Sequence, residues 1–245
     1  MDERALMDTA HAMADAARAA ILPHFRGAGL ETVSKDKDGY DPVTVADRAS
    51  EAAMRAILAK QRPMDAILGE EEGTQPGTSG LTWVLDPIDG TRGYVSGTPT
   101  RGVLIALCDA QGPVYGIIDQ PYIGERFEGG FGRAVVNGPL GARPLGVAAS
   151  GDLSQATLFT TFPEVGSTAE RRANEAVRDR EQLVRYGCDC YAYALLAAGQ
   201  IDLVIEAGLQ SYDIAAPDRG FGRNPDPRGL CASCHSAWCG RRAAP

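Results

Sequence analysis

Leu6, Ala10, Met13, Ala17 and Ile21 recur at spacings of three and four, which places them on one face and predicts an amphipathic helix over residues 4–25. Pro23 and His24 fall where that helix should end. Thr44, with Asp47 three residues later, makes a capping box for a second helix through about Lys60, carrying Ala49, Ala52, Met54, Ala56, Ile57 and Leu58. Between the two, the charges and Gly39 of Lys35 to Asp41 predict a mobile loop. The period then shortens to that of strands. Ala66–Leu68 and Trp83–Leu85 are short apolar runs, and Gly102–Cys108, Val114–Asp119 and Arg126–Glu128 follow between Gly/Pro turns as an antiparallel meander.

From about Asn137 the punctuation changes. Leu158–Phe162 reads as a strand, Ser167–Arg185 as a charged helix, Tyr191–Gly199 as a small-residue apolar helix and Ile201–Glu206 as another strand, an α/β alternation. A boundary near residue 136 therefore divides an α+β part, 1–136, from an α/β part, 137–216. Arg101 is out of register with the apolar strand it opens, and reads as edge-exposed or as a tolerated substitution.

A chain of 245 residues with 44% hydrophobic residues can bury a sizeable core. Its net charge of -8 argues against nucleic-acid or anionic-membrane partners, both of which favour basic patches. Met1-Asp-Glu-Arg is acidic where a signal peptide is basic, and Asp8, Asp15 and Arg18 interrupt the first helix, so the expectation is a cytoplasmic protein. Cys108, Cys188 and Cys190 sit in apolar or helical contexts and read as reduced thiols.

The candidate chemistry lies where apolar runs deliver acids to their ends. Trp83–Leu85 leads into Asp86-Pro87-Ile88-Asp89-Gly90, with Pro87 ending the strand and Asp89-Gly90 turning the chain. Two carboxylates on one bend repel each other unless a cation lies between them, and hard oxygen donors of this kind suit magnesium. Ala66–Leu68 likewise leads into Glu70-Glu71-Glu72, otherwise a solvated loop, and Asp213 stands at a helix start, where it also fits an N-cap.

Together these motifs resemble the inositol monophosphatase family of magnesium-dependent phosphatases. Gly69-Glu70-Glu71, Asp86-Pro87-Ile88-Asp89-Gly90-Thr91 and Tyr212-Asp213-Ile214-Ala215-Ala216 occur in that family's order and spacing, and the resemblance covers residues 1 to about 216. Asp89-Gly-Thr-Arg92-Gly-Tyr and Gly187-Cys-Asp189-Cys-Tyr-Ala-Tyr193 are most similar to its histidinol-phosphate phosphatase branch. The resemblance implies a layered α-β-α-β-α sandwich, a homodimer, and two or three Mg²⁺ ions on Glu70, Asp86, Asp89, Asp213 and the Ile88 carbonyl. It further implies phosphate held by the Gly90 and Thr91 amides, water activated by Thr91 with Glu70 and Asp47, and a small phosphorylated substrate recognised by Arg92, Asp189 and Glu206. For Asp47 and Asp189, helix capping remains an alternative role. The expected reaction is hydrolysis of histidinol phosphate, with inositol monophosphatase or broader sugar-phosphate phosphatase activity as the alternative.

Beyond Ala216 the resemblance breaks. Pro217-Asp-Arg-Gly-Phe-Gly reads as unable to continue a helix, and 217–245 as an atypical, disordered tail replacing the last elements of the fold. Cys231, Cys234, His235 and Cys239 in that tail offer a zinc-site reading, and an inactive or misfolded relative with a metal-binding tail is the competing account.

Overall fold

The computed structural model describes residues 2–27, 32–34, 42–148, 152–164 and 166–220. The predicted loop at Lys35 to Asp41 and the tail cysteines lie outside the described residues.

Helix α1, Glu3–Ile21, starts where Asp2 accepts a hydrogen bond from the Ala5 amide and buries Leu6, Ala10, Met13, Ala17 and Ile21. It stops earlier than the pattern predicts, because Pro23 follows and the chain tightens into a 3-10 turn over Leu22–His24. Strands β1, Thr32–Ser34, and β2, Pro42–Thr44, pair antiparallel. Helix α2, Val45–Gln61, then begins with the predicted capping box of Thr44 and Asp47. The two helices pack on each other, with the Thr9 hydroxyl 2.9 Å from Gln61 Oε1.

Next come β3, Ala66–Gly69; β4, Gly73–Gln75; β5, Thr82–Asp89; helix α3, Thr91–Val95; β6, Gly102–Asp109; β7, Gly112–Gln120; β8, Glu125–Gly130; β9, Arg133–Gly138; and β10, Gly141–Pro144. Among the described residues they form an eight-stranded sheet in the order β10-β9-β8-β7-β6-β5-β3-β4. The meander is antiparallel as predicted, but the β3–β5 pair is parallel. The sheet also runs on through β9 and β10 to Pro144, past the boundary placed near residue 136. Strand β5 does not end at Pro87: it continues to Asp89 with a register shift between Asp86 and Asp89. A proline cannot donate to the ladder, and a bulge accommodates it without ending the strand.

Alternation along β5 sorts the core into two. Trp83 and Leu85 join α1 and α2 on one face. Val84, with Leu104, Ala106 and Ile118, faces the other side and packs with residues of the later helices.

Those later elements are β11, Thr157–Thr160; helix α4, Thr168–Arg178; β12, Leu183–Tyr186; helix α5, Cys190–Ala197; β13, Leu203–Val204; and helix α6, Ser211–Gly220. The parallel sheet β12-β11-β13 meets α5, which also touches α6, β6 and β7. The layers therefore run α1/α2, large sheet, α5/α6, small sheet. Three expectations change here. Ser167–Arg185 is a helix only to Arg178, because Leu183–Tyr186 pairs in parallel register with Thr157–Thr160. The strand expected over Ile201–Glu206 is short, although the Asp202 and Ile205 amides extend its pairing to Thr157 O and Phe159 O. Helix α6 continues through Pro217 to Gly220. Its face of Ile214, Ala215, Ala216 and Pro217 is buried, and that burial offsets the one backbone donor a proline removes. Among the described residues no helix is long and apolar enough to cross a membrane.

Candidate active site

Three acids meet at the bulge of β5. Asp86 comes from the strand, Asp89 from its end and Asp213 from the first turn of α6, and one carboxylate oxygen from each lies within 4.8 Å of the others. Asp86 is 2% exposed, and its Oδ1 has no hydrogen-bond partner among the described residues. Burial, then the charges of Glu70, Asp89 and Asp213, push its pKa well above the usual carboxylate range. Burial and the charge of Asp189 do the same to Asp89, against the Cys190 amide that donates to Asp89 Oδ2 at 2.5 Å. Asp213, half-buried and bonded by the Gln210 amide at 2.6 Å, is raised to about 6, chiefly by loss of solvation.

Glu70 joins them from the turn after β3. Its amide bonds Leu85 O at 3.2 Å, next to Asp86. Mutually repelling carboxylates gathered around the buried, orphaned Asp86 oxygen are the donor set of a hard divalent cation, so the residues fit Mg²⁺. The Ile88 carbonyl lies at the same bulge, 3.0 Å from the Thr91 hydroxyl, whose single proton goes either to it or to Asp47 Oδ1, and it keeps a lone pair for a cation.

Gly90, at φ 85°, turns the chain from β5 into α3, and a side chain there would strike the Asp189 carboxyl. Thr91 opens the helix, and its hydroxyl lies 3.2 Å from Asp47 Oδ1. Asp47 is 1% exposed and uses its other oxygen, Oδ2, for the Thr44 amide at 2.8 Å and the Thr44 hydroxyl at 2.5 Å. Burial outweighs those bonds and raises its pKa. The capping role and a place beside Thr91 therefore coexist in one side chain.

Asp189 occupies the N-cap position of α5 but makes no side-chain bond to that helix. With Cys188 at φ 81° and Asp189 at φ 47°, two successive non-glycine residues hold left-handed backbone, a strained arrangement costing about 1–3 kcal/mol each. The strain turns the Asp189 carboxyl onto Gly90. Burial raises its pKa and the nearby Arg92 charge opposes that rise. The Arg92 guanidinium lies 5.9 Å from the Phe162 ring centroid. Glu206, 7% exposed, accepts the Thr161 amide at 2.7 Å and hydroxyl at 2.8 Å through Oε1. It therefore tethers the segment carrying Phe162.

The sequence reading passes over two residues behind the site. Glu51 and Arg55 bracket the Glu70–Gly73 turn. Their one readable signal is the i, i+4 spacing Asp47, Glu51, Arg55 on α2.

Residues 2–219 match the inositol monophosphatase family. The chain is 44% identical over 208 residues to the bifunctional phosphatase IMPL2, chloroplastic, of Arabidopsis thaliana, over 84% of this chain and 58% of that protein's length. It is 35% identical over 210 residues to histidinol-phosphatase of Mycobacterium tuberculosis, over 84% of this chain and 81% of that one. A solved structure of an inositol monophosphatase from Zymomonas mobilis aligns at a TM-score of 0.76 and 38% identity, over 89% of this chain and 82% of that chain.

Proposed function

The chain belongs to the inositol monophosphatase family, and from that membership we propose that it is a Mg²⁺-dependent phosphomonoesterase that hydrolyses histidinol phosphate to histidinol and phosphate. The observation that carries the reading is the meeting of Asp86, Asp89 and Asp213 beside the Thr91–Asp47 pair.

Glu70, Asp86, Asp89, Asp213 and the Ile88 carbonyl hold two or three Mg²⁺ ions, which when bound supply Lewis-acid charge to the phosphoryl oxygens and acidify the attacking water. The remaining work falls to the chain's own groups. The Gly90 and Thr91 amides at the turn into α3 orient the phosphate. Thr91 Oγ1 accepts a proton from the attacking water as its own hydroxyl proton moves toward Asp47 Oδ1, 3.2 Å away. Asp47 is fixed for this by the two bonds from Thr44.

Substrate preference rests on Asp189, whose carboxyl stands over Gly90, with Arg92 and Glu206 positioning the wall beside it. Histidinol carries an ammonium and an imidazole, and a carboxylate at that place is the partner they need. A second reading, inositol monophosphatase activity, is favoured by the 38% identity to the Zymomonas mobilis enzyme. The kcat/KM values for histidinol phosphate and inositol 1-phosphate separate the two. The proposal expects the former to be higher and to fall more in Asp189→Ala; a clear preference for inositol 1-phosphate overturns the substrate assignment. A homodimer belongs to the same proposal and is read by the mass of the particle in light scattering.

A further inference from the structure

Behind the carboxylate cluster, Glu51 is a fully buried acid on α2, 0% exposed, that the mechanism does not use. Its Oε2 accepts the Glu71 amide at 2.8 Å, and its Oε1 accepts the Glu72 amide at 3.1 Å and Arg55 Nε at 2.8 Å. Arg55 in turn donates through Nη2 to Gly73 O at 2.6 Å and lies 3.5 Å from the Glu72 carboxylate. On the other side of Glu70, a methyl group on Gly69 would overlap the Glu51 carboxylate. Residues 69, 71, 72 and 73 are therefore all seated on the buried Glu51 and its half-buried partner Arg55, and Glu70 is the residue they carry toward Asp86.

We propose that Glu51, braced by Arg55, is a positioning residue that presents Glu70 for cation binding. The inference rests on the reading of Glu70 as a metal ligand. Its physical basis is that a ligand on a turn must be ordered before it can bind, and two charge-assisted bonds to successive amides order that turn in advance. The carboxylate accepts both amides, so a neutral replacement of the same shape weakens the seat without opening a cavity.

The test is Mn²⁺ binding, followed by electron paramagnetic resonance and titration calorimetry, on the whole chain and on Glu51→Gln, Arg55→Met and Asp86→Asn, with near-ultraviolet circular dichroism to report folding. The expected result is a folded Glu51→Gln with Mn²⁺ affinity about 10–100-fold weaker, and a smaller loss in the same direction for Arg55→Met. A role confined to stability leaves affinity at the wild-type level once the protein is folded, and that result in Glu51→Gln overturns the proposal. Should Glu51→Gln fail to fold, Arg55→Met decides by the same comparison. Unchanged binding in Asp86→Asn overturns the metal reading itself and the clamp with it. Loss in Asp86→Asn with wild-type affinity in Glu51→Gln overturns the clamp alone.

Discussion

Thr91 and Asp47 meet across two elements distant in sequence: the threonine hydroxyl at the start of α3 lies 3.2 Å from Asp47 Oδ1, while Oδ2 of the same carboxylate closes the capping box of α2. One side chain thus ties the start of α2 to the start of α3. Thr91→Val keeps the shape and removes the hydroxyl. The expected outcome is a kcat lower by roughly 10²–10⁴-fold, with Mn²⁺ affinity unchanged. Stability falls by only about 1 kcal/mol, the worth of one hydrogen bond. A kcat within a few-fold of wild type contradicts the relay.

Asp86 is buried among acids with an orphaned Oδ1, so without a divalent cation it costs stability. In Mg²⁺-free buffer Asp86→Asn should melt higher than the wild type. At 100-fold excess over Kd, each bound Mg²⁺ should stabilise the wild type by about 2.7 kcal/mol, roughly 5–10 °C in Tm, and the variant should gain clearly less. Differential scanning calorimetry with Mg²⁺ and with EDTA reads both effects. Equal Mg²⁺ shifts in the two proteins contradict the assignment.

Arg101 is buried, 1% exposed, so the edge-exposed reading of it fails. Its guanidinium lies 3.4 Å from the Phe25 ring centroid and 4.7 Å from that of Tyr94. Nε and Nη2 have no partner among the described residues. Burial pulls its pKa down to about 10, so it stays charged at neutral pH. Stacking on the rings offsets part of the desolvation but leaves two donors unmet. Arg101→Met should stabilise the protein by about 1–3 kcal/mol, read from the midpoint of urea unfolding; a destabilised variant contradicts this.

Glu128, on β8 and 1% exposed, loses solvation on burial, but bonds from His11 at 3.1 Å and Tyr115 at 2.5 Å, with Arg133 at 3.0 Å, overcome it and hold its pKa down at about 2. The unfolded carboxyl titrates near its ordinary value of 4.5. The folded pKa is the lower of the two, so the stability this group contributes is full above about pH 4.5 and is lost as pH falls toward 2. The contribution is at most about 3 kcal/mol. Urea midpoints of the wild type and Glu128→Gln should converge as pH drops from 5.5 to 3; a gap that stays constant contradicts the assignment.

Legibility followed locality. Asp86, Asp89 and Asp213 were readable because each sits where an apolar run or a helix begins or ends, and those boundaries are written in neighbouring residues. The capping box of Thr44 and Asp47 was readable for the same reason. Leu183–Tyr186 was not, because it becomes a strand only by pairing with Thr157–Thr160, and its charged surroundings continue the helical pattern of α4. Pro217 misled because its local cost is plain in the sequence while the burial that offsets it comes from the sheet. Glu51 was hidden because nothing in the chain's order says that its carboxylate ends against the Glu71 and Glu72 amides. Glu206 reads as a substrate acid, and nothing in the chain's order says that its Oε1 also accepts the amide and hydroxyl of Thr161.

The most direct test of the central claim is phosphate release from histidinol phosphate by the purified chain, measured with Mg²⁺, with EDTA, and in Asp86→Asn. The account predicts turnover that needs Mg²⁺, disappears with EDTA and is lost in the variant. A folded protein that releases no phosphate with Mg²⁺ present, or one whose turnover survives EDTA and Asp86→Asn, contradicts it.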